Sequence, residues 1–332
     1  MSHQKTYWHL LQQERMPTEY EIVTSKLLCY TGEGFTGKRF ELDVPLKDWY
    51  RRYQEESPLV CSSWEKFCDP RETTYTKYTS LQREKEIFVD SILEEIELTG
   101  YDAHLRPAWL HTFVRVVAPF RYPGHGFQMI ASYIGQMAPS GRVTIAAALQ
   151  SADEMRRIQR IAYRIRQLQQ IYPGFAADSK ALWETDSRWQ PLREVVEKLL
   201  ITYDWAESFV GLNVVLKPLI DEFFVKNLSD VALAEDDYLL GQIFYSLNED
   251  CQWHRQWSEC LVRMVVEDNV RNKGTIQRWV NQWYPLAARA VHTLASLLED
   301  SGQQVNTSRR TELALDRYYR GYLQSMNLEL AG

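Results

Sequence analysis

The sequence predicts an all-α fold: a helical bundle with two long central helices, additional flanking helices and an extended N-terminal arm. Three observations predict it. From about residue 77 onward, apolar residues recur at spacings of three and four, the period of one helix face. Pro17, Gly32, Gly34, Gly37, Pro45 and Pro58 punctuate the first 60 residues, where no apolar period persists. Strand-like composition is confined to Tyr20–Tyr30, and no fixed-period repeat is present.

Taken in order, residues 1–60 read as the arm, with one short helix near 46–54, and residues 61–332 as a single helical domain. Segment 77–99 is rich in Glu, Leu and Ile and ends at Gly100. Asp102 is placed to cap the next helix, Pro107 opens it, and Pro119 is expected to stop it. Pro123-Gly124 reads as a break before a helix that runs to Met137. The first long helix is 143–172, with Ile145, Leu149, Ala152, Met155, Ile158, Ala162, Ile165 and Leu168 as its inner stripe. Arg156, Arg157, Arg160 and Arg164 lie largely off that stripe and read as a solvated or partner-pairing face. The second long helix spans 189–226. Its stretch LNVVLKPLIDEFF is apolar almost all round, as in a helix buried on several sides, and Pro218 is expected to kink it. Segments 234–248, 249–268, 275–299 and 308–326 complete the set.

Composition narrows the function. A net charge of −6 without a basic tail argues against non-specific nucleic-acid binding, which needs many phosphate-neutralising cations on one face. No apolar run approaches the roughly 20 residues of a membrane span, and the opening MSHQKTYWHLLQQER has no signal-peptide core. The five cysteines form no CxxC and read as reduced thiols, so a cytoplasmic location is expected. Eleven Trp and nineteen Tyr are many for this length; most read as core, and the rest are free to anchor interfaces. Trp8, Trp49, Tyr50 and Trp64, with Phe67 and Trp205, are the candidate subunit-interface residues.

Motifs for chemistry are sparse. Gly32–Lys38 mimics a phosphate loop, but Arg39 stands where a Ser or Thr would hold Mg²⁺ and no helix pattern follows, so a surface turn is expected. A di-iron site in a helical bundle needs two Glu-x-x-His pairs, because side chains three apart project together toward the axis. The chain has none: Tyr101, Ala108, Tyr122, Cys251 and Arg289 precede the last five histidines by three. Asp250 and His254 read as a surface or interface pair. Asp204 and Glu207 read as members of buried or interfacial salt bridges. The competing reading is a stand-alone metalloprotein whose site combines Glu154, Asp204, Glu207, Asp250 and His254; a third is a stand-alone helical scaffold protein.

Five blocks, in order, resemble the β subunit of the hydroxylase component of bacterial multicomponent diiron monooxygenases, toluene/alkene group. They are YWHL…PTEYEIV within Tyr7–Val23, SPLVCSSWEKFCDP at Ser57–Pro70, SYIGQMAPS at Ser132–Ser140, WQPLREVVEKLLITYDWAESFVGLNVVLKPLI at Trp189–Ile220, and WHRQWSECLVR at Trp253–Arg263. The likeness spans about residues 7–295 and leaves the 32–37 turn and the tail after 300 unmatched. It implies a ferritin-like bundle without a metal site or catalytic residue of its own. It also implies an α subunit carrying the diiron centre, a γ subunit, a second copy in an (αβγ)₂ assembly, and NADH-dependent turnover. An effector protein, a Rieske-type ferredoxin and a reductase complete the implied system. The expected role is to brace the iron-bearing subunit during oxidation of aromatic or alkene hydrocarbons.

Overall fold

The computed structural model describes residues 15–24, 45–299 and 307–330. Among these the regular elements are all helical. The short N-terminal ones are α1 (Glu19–Thr24) and α2 (Pro45–Tyr50), the latter continued by a π turn at Arg51–Glu55. The arguable strand at Tyr20–Tyr30 is thus helical over its described part. The rest of it, and the glycine turn at 32–37, lie outside the described residues.

The body begins with α3 (Tyr75–Thr99), capped by the Thr74 hydroxyl and closed by Gly100 in the left-handed region (φ +64). Next, α4 (Pro107–Thr112) runs through a π turn (Phe113–Val117) and a 3-10 turn (Ala118–Phe120) directly into α5 (Arg121–Met137). The expected stops at Pro119 and Pro123 are therefore not stops. Each proline falls within the first turn of the element it begins, where backbone N–H groups have no intrahelical acceptor to lose. A three-residue link at 138–140 folds α6 (Gly141–Ile171) back along α5, with Ser140 as its N-cap.

After α7 (Ser179–Thr185) and α8 (Gln190–Leu200) the chain breaks at 201–204. The second long helix expected over 189–226 is accordingly two pieces. Asp204 explains the break: its carboxylate accepts from the Ala206 and Glu207 amides and so starts a new helix. That helix is composite: α9 (Trp205–Phe209), a π stretch (Val210–Leu216), α10 (Lys217–Asp221), a second π stretch (Glu222–Asn227) and α11 (Leu228–Ala234). Pro218 sits at the second position of α10, where the change of hydrogen-bond register after the wide π turn takes up the missing donor. As the apolar stretch predicts, 208–225 is buried throughout.

The segments expected as 234–248 and 249–268 form one helix, α12 (Tyr238–Asp268), capped by Asp237. Finally come α13 (Arg271–Glu299) and α14 (Thr307–Ser325). The centre of the molecule lies among α5, α6, α9–α11 and α12; α3 flanks α6 and α12, while α8 and α13 close the other side. Packing there is tight: a Cβ on Gly126 of α5 would stand 2.4 Å from Val196 Cγ1 of α8.

The largest departure from expectation is on α6. Its period is as read, but the buried face is not. Met155 is 37% exposed, whereas Arg156, Arg157, Arg160 and Arg164 are each 9% exposed or less. The arginines face inward because carboxylates from other helices receive them.

Candidate functional site

Helix α6 presents Glu154 and Arg157, three apart, to the bundle axis, and α12 presents Cys251 and His254 with the same spacing. Lys217 and Asp221, four apart on α10, complete the inner shell. All six are buried. Four of them close a ring of alternating charge. The Lys217 ammonium bonds Glu154 Oε1 and lies 3.0 Å from Asp221 Oδ2. The Arg157 guanidinium lies 3.3 Å from Glu154 Oε2 and 2.9 Å from Asp221 Oδ1. Arg157 Nη2 also donates to Cys251 Sγ (2.9 Å). The fourth helix, α5, contributes an aromatic wall, with Lys217 Nζ 5.9 Å from the Phe127 ring centroid.

Beside the ring, His254 Nε2 and Asp153 Oδ2 are 2.9 Å apart, while His254 Nδ1 stands 3.9 Å from Glu154 Oε1 without a hydrogen-bond partner. Asp153 also accepts from Tyr78 Oη and from Gln82, which reaches on to Asp250 (3.0 Å). Asp250 in turn receives Lys85 (2.5 Å) and Arg156 (2.8 Å). Asp250 and His254 are therefore core groups, not the surface pair their spacing suggested.

Electrostatics follow from this wiring. Burial, reinforced by Lys217 and Arg157, holds the His254 imidazole well below its ordinary pKa, so it is neutral. Burial and the nearby Asp250 push Asp153 well above the carboxylate range. Burial alone would raise Asp221 too, but Lys217 and Arg157 outweigh it and hold the group low. Burial pushes the Cys251 thiol up to about 12, and it stays protonated.

Further charged and polar layers lie along α6. Gln150 and Asn213 exchange amide hydrogen bonds of 3.0 and 2.8 Å, with Trp257 Nε1 and Ser258 completing the layer. Arg160 reaches Glu86 and Asp90 on α3. At the far end Arg164 grips both oxygens of Asp102 (2.5 and 2.8 Å) and Asp237 (2.9 Å). Asp102, expected as a helix cap, is thus an ion-pair partner.

The carboxylates of the competing metal-site reading do not converge. Asp204 caps α9 and accepts from Ser57 Oγ; Glu207 accepts from Gln282 and Trp283. Neither makes an ion pair among the described residues, so their expected salt bridges are replaced by neutral donors. Of that set only Glu154 belongs to the ring, with His254 beside it. Reasoning from sequence missed Lys217, Arg157 and Cys251. The available signals were a lone lysine inside the apolar LNVVLKPLI and the i, i+3 spacing of Glu154 with Arg157 and of Cys251 with His254.

Of the candidate interface aromatics, Trp8 lies outside the described residues. Trp49 donates to Tyr133 Oη and meets Tyr53 and Tyr203 edge-on. Tyr50 reaches the Gln136 carbonyl, and Trp64 packs edge-on against Trp205. Phe67 (1% exposed) and Trp205 (0%) are filled in by this chain's own core, which corrects their assignment: they have no surface left for a neighbour.

The sequence profile of the methane, phenol and alkene hydroxylases matches residues 49–269. The chain belongs to this hydroxylase family. It is 36% identical over 296 residues to the β subunit of the hydroxylase component of the toluene-4-monooxygenase system of Ectopseudomonas mendocina, covering 89% of this chain and 90% of that one. It is 25% identical to the hydroxylase small subunit of propane 2-monooxygenase from Rhodococcus jostii (strain RHA1), over 83% and 77%. A solved structure of toluene 4-monooxygenase with toluene bound in its resting active site contains a chain that superimposes with a TM-score of 0.82, at 36% identity, over 89% of this chain and 97% of that one. Phenol hydroxylase from Pseudomonas sp. OX1, at 19% identity and a TM-score of 0.84 over 98% and 96%, shares the fold.

Members of such families that carry two irons in a four-helix bundle use a Glu from each of two helices and a Glu-x-x-His pair from each of the other two. The centre of this hydroxylase-family chain does not fit that group. Arg157 stands in the imidazole place of the α6 pair and Cys251 in the carboxylate place of the α12 pair. Lys217 lies between Glu154 and Asp221, the two carboxylates of the inner ring. The ring is already neutral, and two fixed cations would repel any metal cation entering it.

Proposed function

We propose that this chain is the non-catalytic β subunit of a multicomponent diiron monooxygenase hydroxylase and braces the subunit that carries the iron. The observation that carries the reading is the 36% identity to a hydroxylase β subunit across nearly the full length of both chains. The charge-filled centre supports it, because Lys217 and Arg157 occupy the space and the carboxylates that metal chemistry would need. In this reading the chain holds no cofactor. Its partners are the α and γ subunits and a second copy of itself in an (αβγ)₂ assembly. An effector protein, a Rieske-type ferredoxin and a reductase serve the assembled enzyme, which acts in the cytoplasm. The substrates are aromatic or alkene hydrocarbons, the first by analogy with the toluene and phenol enzymes.

A surface suited to the role is the groove of about 350 Å³ between α5 and α8, lined by Met129, Tyr133, Leu199, Leu200 and Tyr203 among others. Its lining exposes apolar side chains: Met129 (47%) and Leu200 (37%). Trp49 and Tyr53 flank it through Tyr203. Obligate interfaces are apolar and resemble a core cut in half. Among the described residues no helix is long and apolar enough to cross a membrane.

The test is co-expression. Affinity purification of this chain with its encoded neighbours retrieves a larger iron-bearing subunit in fixed ratio, and NADH-driven hydrocarbon oxidation requires both. Turnover by the larger subunit at full rate without this chain ends the reading.

A further inference from the structure

We infer that Lys217 and Arg157 are internal counter-ions standing where this helical arrangement would otherwise take metal cations, and that removing the Lys217 charge turns the centre into a divalent-cation site ligated by Glu154, Asp221, Cys251 and His254. The proposal stands on this chain's geometry and does not need the subunit role. Three observations carry it. Two helices present inward pairs at the i, i+3 spacing of a bundle metal site. One ligand atom each from Asp221, Cys251 and His254 lie within 4.8 Å of one another. The Nδ1 of His254, on a residue 2% exposed, has no hydrogen-bond partner and faces Glu154 Oε1 at 3.9 Å.

Charge balance makes the exchange specific. In the chain as it stands, Lys217 and Arg157 cancel Glu154 and Asp221, with Cys251 a thiol and His254 neutral. Lys217→Met removes one positive charge. An entering divalent ion then displaces the Cys251 proton to solvent, and the resulting thiolate, two carboxylates, Arg157 and the ion again sum to zero. One lysine charge and one thiol proton equal one divalent cation. Thiolate, imidazole and carboxylate oxygen are the donors that suit Zn²⁺ and its spectroscopic substitute Co²⁺.

The experiment is a Co²⁺ titration of the full-length chain, wild type against Lys217→Met, read by absorption and by equilibrium dialysis. The expected result is one equivalent of Co²⁺ in the variant with a thiolate-to-cobalt band, no such band in wild type, and loss of the band in Lys217→Met/Cys251→Ser. A folded Lys217→Met chain without the band overturns the proposal, as does the same band in wild type. If the variant folds only when Co²⁺ is present, the metal has replaced the lysine and the proposal stands. If it folds neither with nor without Co²⁺, the proposal falls.

Discussion

Replacing Arg164 with Met leaves two carboxylates in the core without their cation. Arg164 is 0% exposed and makes three hydrogen bonds of 2.5–2.9 Å to Asp102 and Asp237. Asp237 also caps α12 through the Leu240 amide and accepts from Trp109 Nε1, so it cannot swing out to solvent without freeing both. Removing one partner of a buried ion pair costs about 3–5 kcal/mol, because the remaining charge is uncompensated. With an unfolding entropy of about 2.1 cal/mol/K per residue, the 332-residue chain has roughly 0.7 kcal/mol/K. The midpoint should therefore fall by about 4–7 °C. The assay is thermal unfolding followed by circular dichroism, with urea titration as a second measure. A companion variant, Arg164→Met/Asp102→Asn, removes one of the stranded charges and should regain about 1 kcal/mol or more of the loss. A midpoint for Arg164→Met within about 1 °C of wild type, or no recovery in the double variant, would refute the argument that the triad is electrostatically closed.

Three other outcomes are expected. Gly126→Ala forces a methyl against Val196 of α8 and should destabilise by about 1–3 kcal/mol, as overpacking does; urea titration checks it, and an unchanged midpoint contradicts the close α5–α8 approach. At the α9 cap, Asp204→Ala should lose about 0.5–2 kcal/mol, while Asp204→Asn retains an acceptor for the Ala206 and Glu207 amides. Burial raises the Asp204 pKa above its ordinary value, so the folded state holds that proton more tightly than the unfolded state. Its contribution is full below the unfolded pKa and lost as pH rises through the folded value. Asp204→Asn, which cannot ionise, should therefore gain on wild type between pH 4 and pH 7, and a constant difference between urea midpoints at the two pH values would count against this. Alkylation of the native chain should modify exposed Cys68 before Cys61 and Cys260. Buried Cys251, with its pKa near 12, should react only after unfolding; mass spectrometry of timed samples reads the order.

Most helices and some of their ends were legible from local chemistry. Pro107 opens α4 and Gly100 closes α3, each because of its own backbone geometry. The errors came where tertiary partners decide. Apolar residues recur along α6, and the usual inference turns them inward. Here Met155 faces out because Glu86, Asp90, Asp102, Asp237 and Asp250 come from other helices to meet the arginines, and no window along α6 contains them. The break at 201–204 has the same character in miniature. Asp204 caps α9 there, although its residue type and its nearness to Glu207 suggest a salt-bridge carboxylate. The centre itself was half visible: the missing Glu-x-x-His showed what it is not, and Lys217 inside an apolar run was the clue to what it is.

The polar interior also explains how a bundle with so many apolar faces selects one arrangement. Apolar surfaces tolerate sliding; a helix displaced by one turn, about 5.4 Å, can still bury much the same area. Arg156, Arg157, Arg160 and Arg164 cannot slide without cost. They pair in succession with Asp250 and Glu86, with Asp221, with Asp90, and with Asp102 and Asp237. A one-turn slip of α6 would carry each guanidinium away from its partners and leave several unpaired charges in the core, each worth a few kcal/mol against the slipped state. Replacing both partners of one pair with apolar residues would then change net stability little while weakening the preference for this register. On this argument the charges on α6 fix where α3, α9–α11 and α12 stand along it.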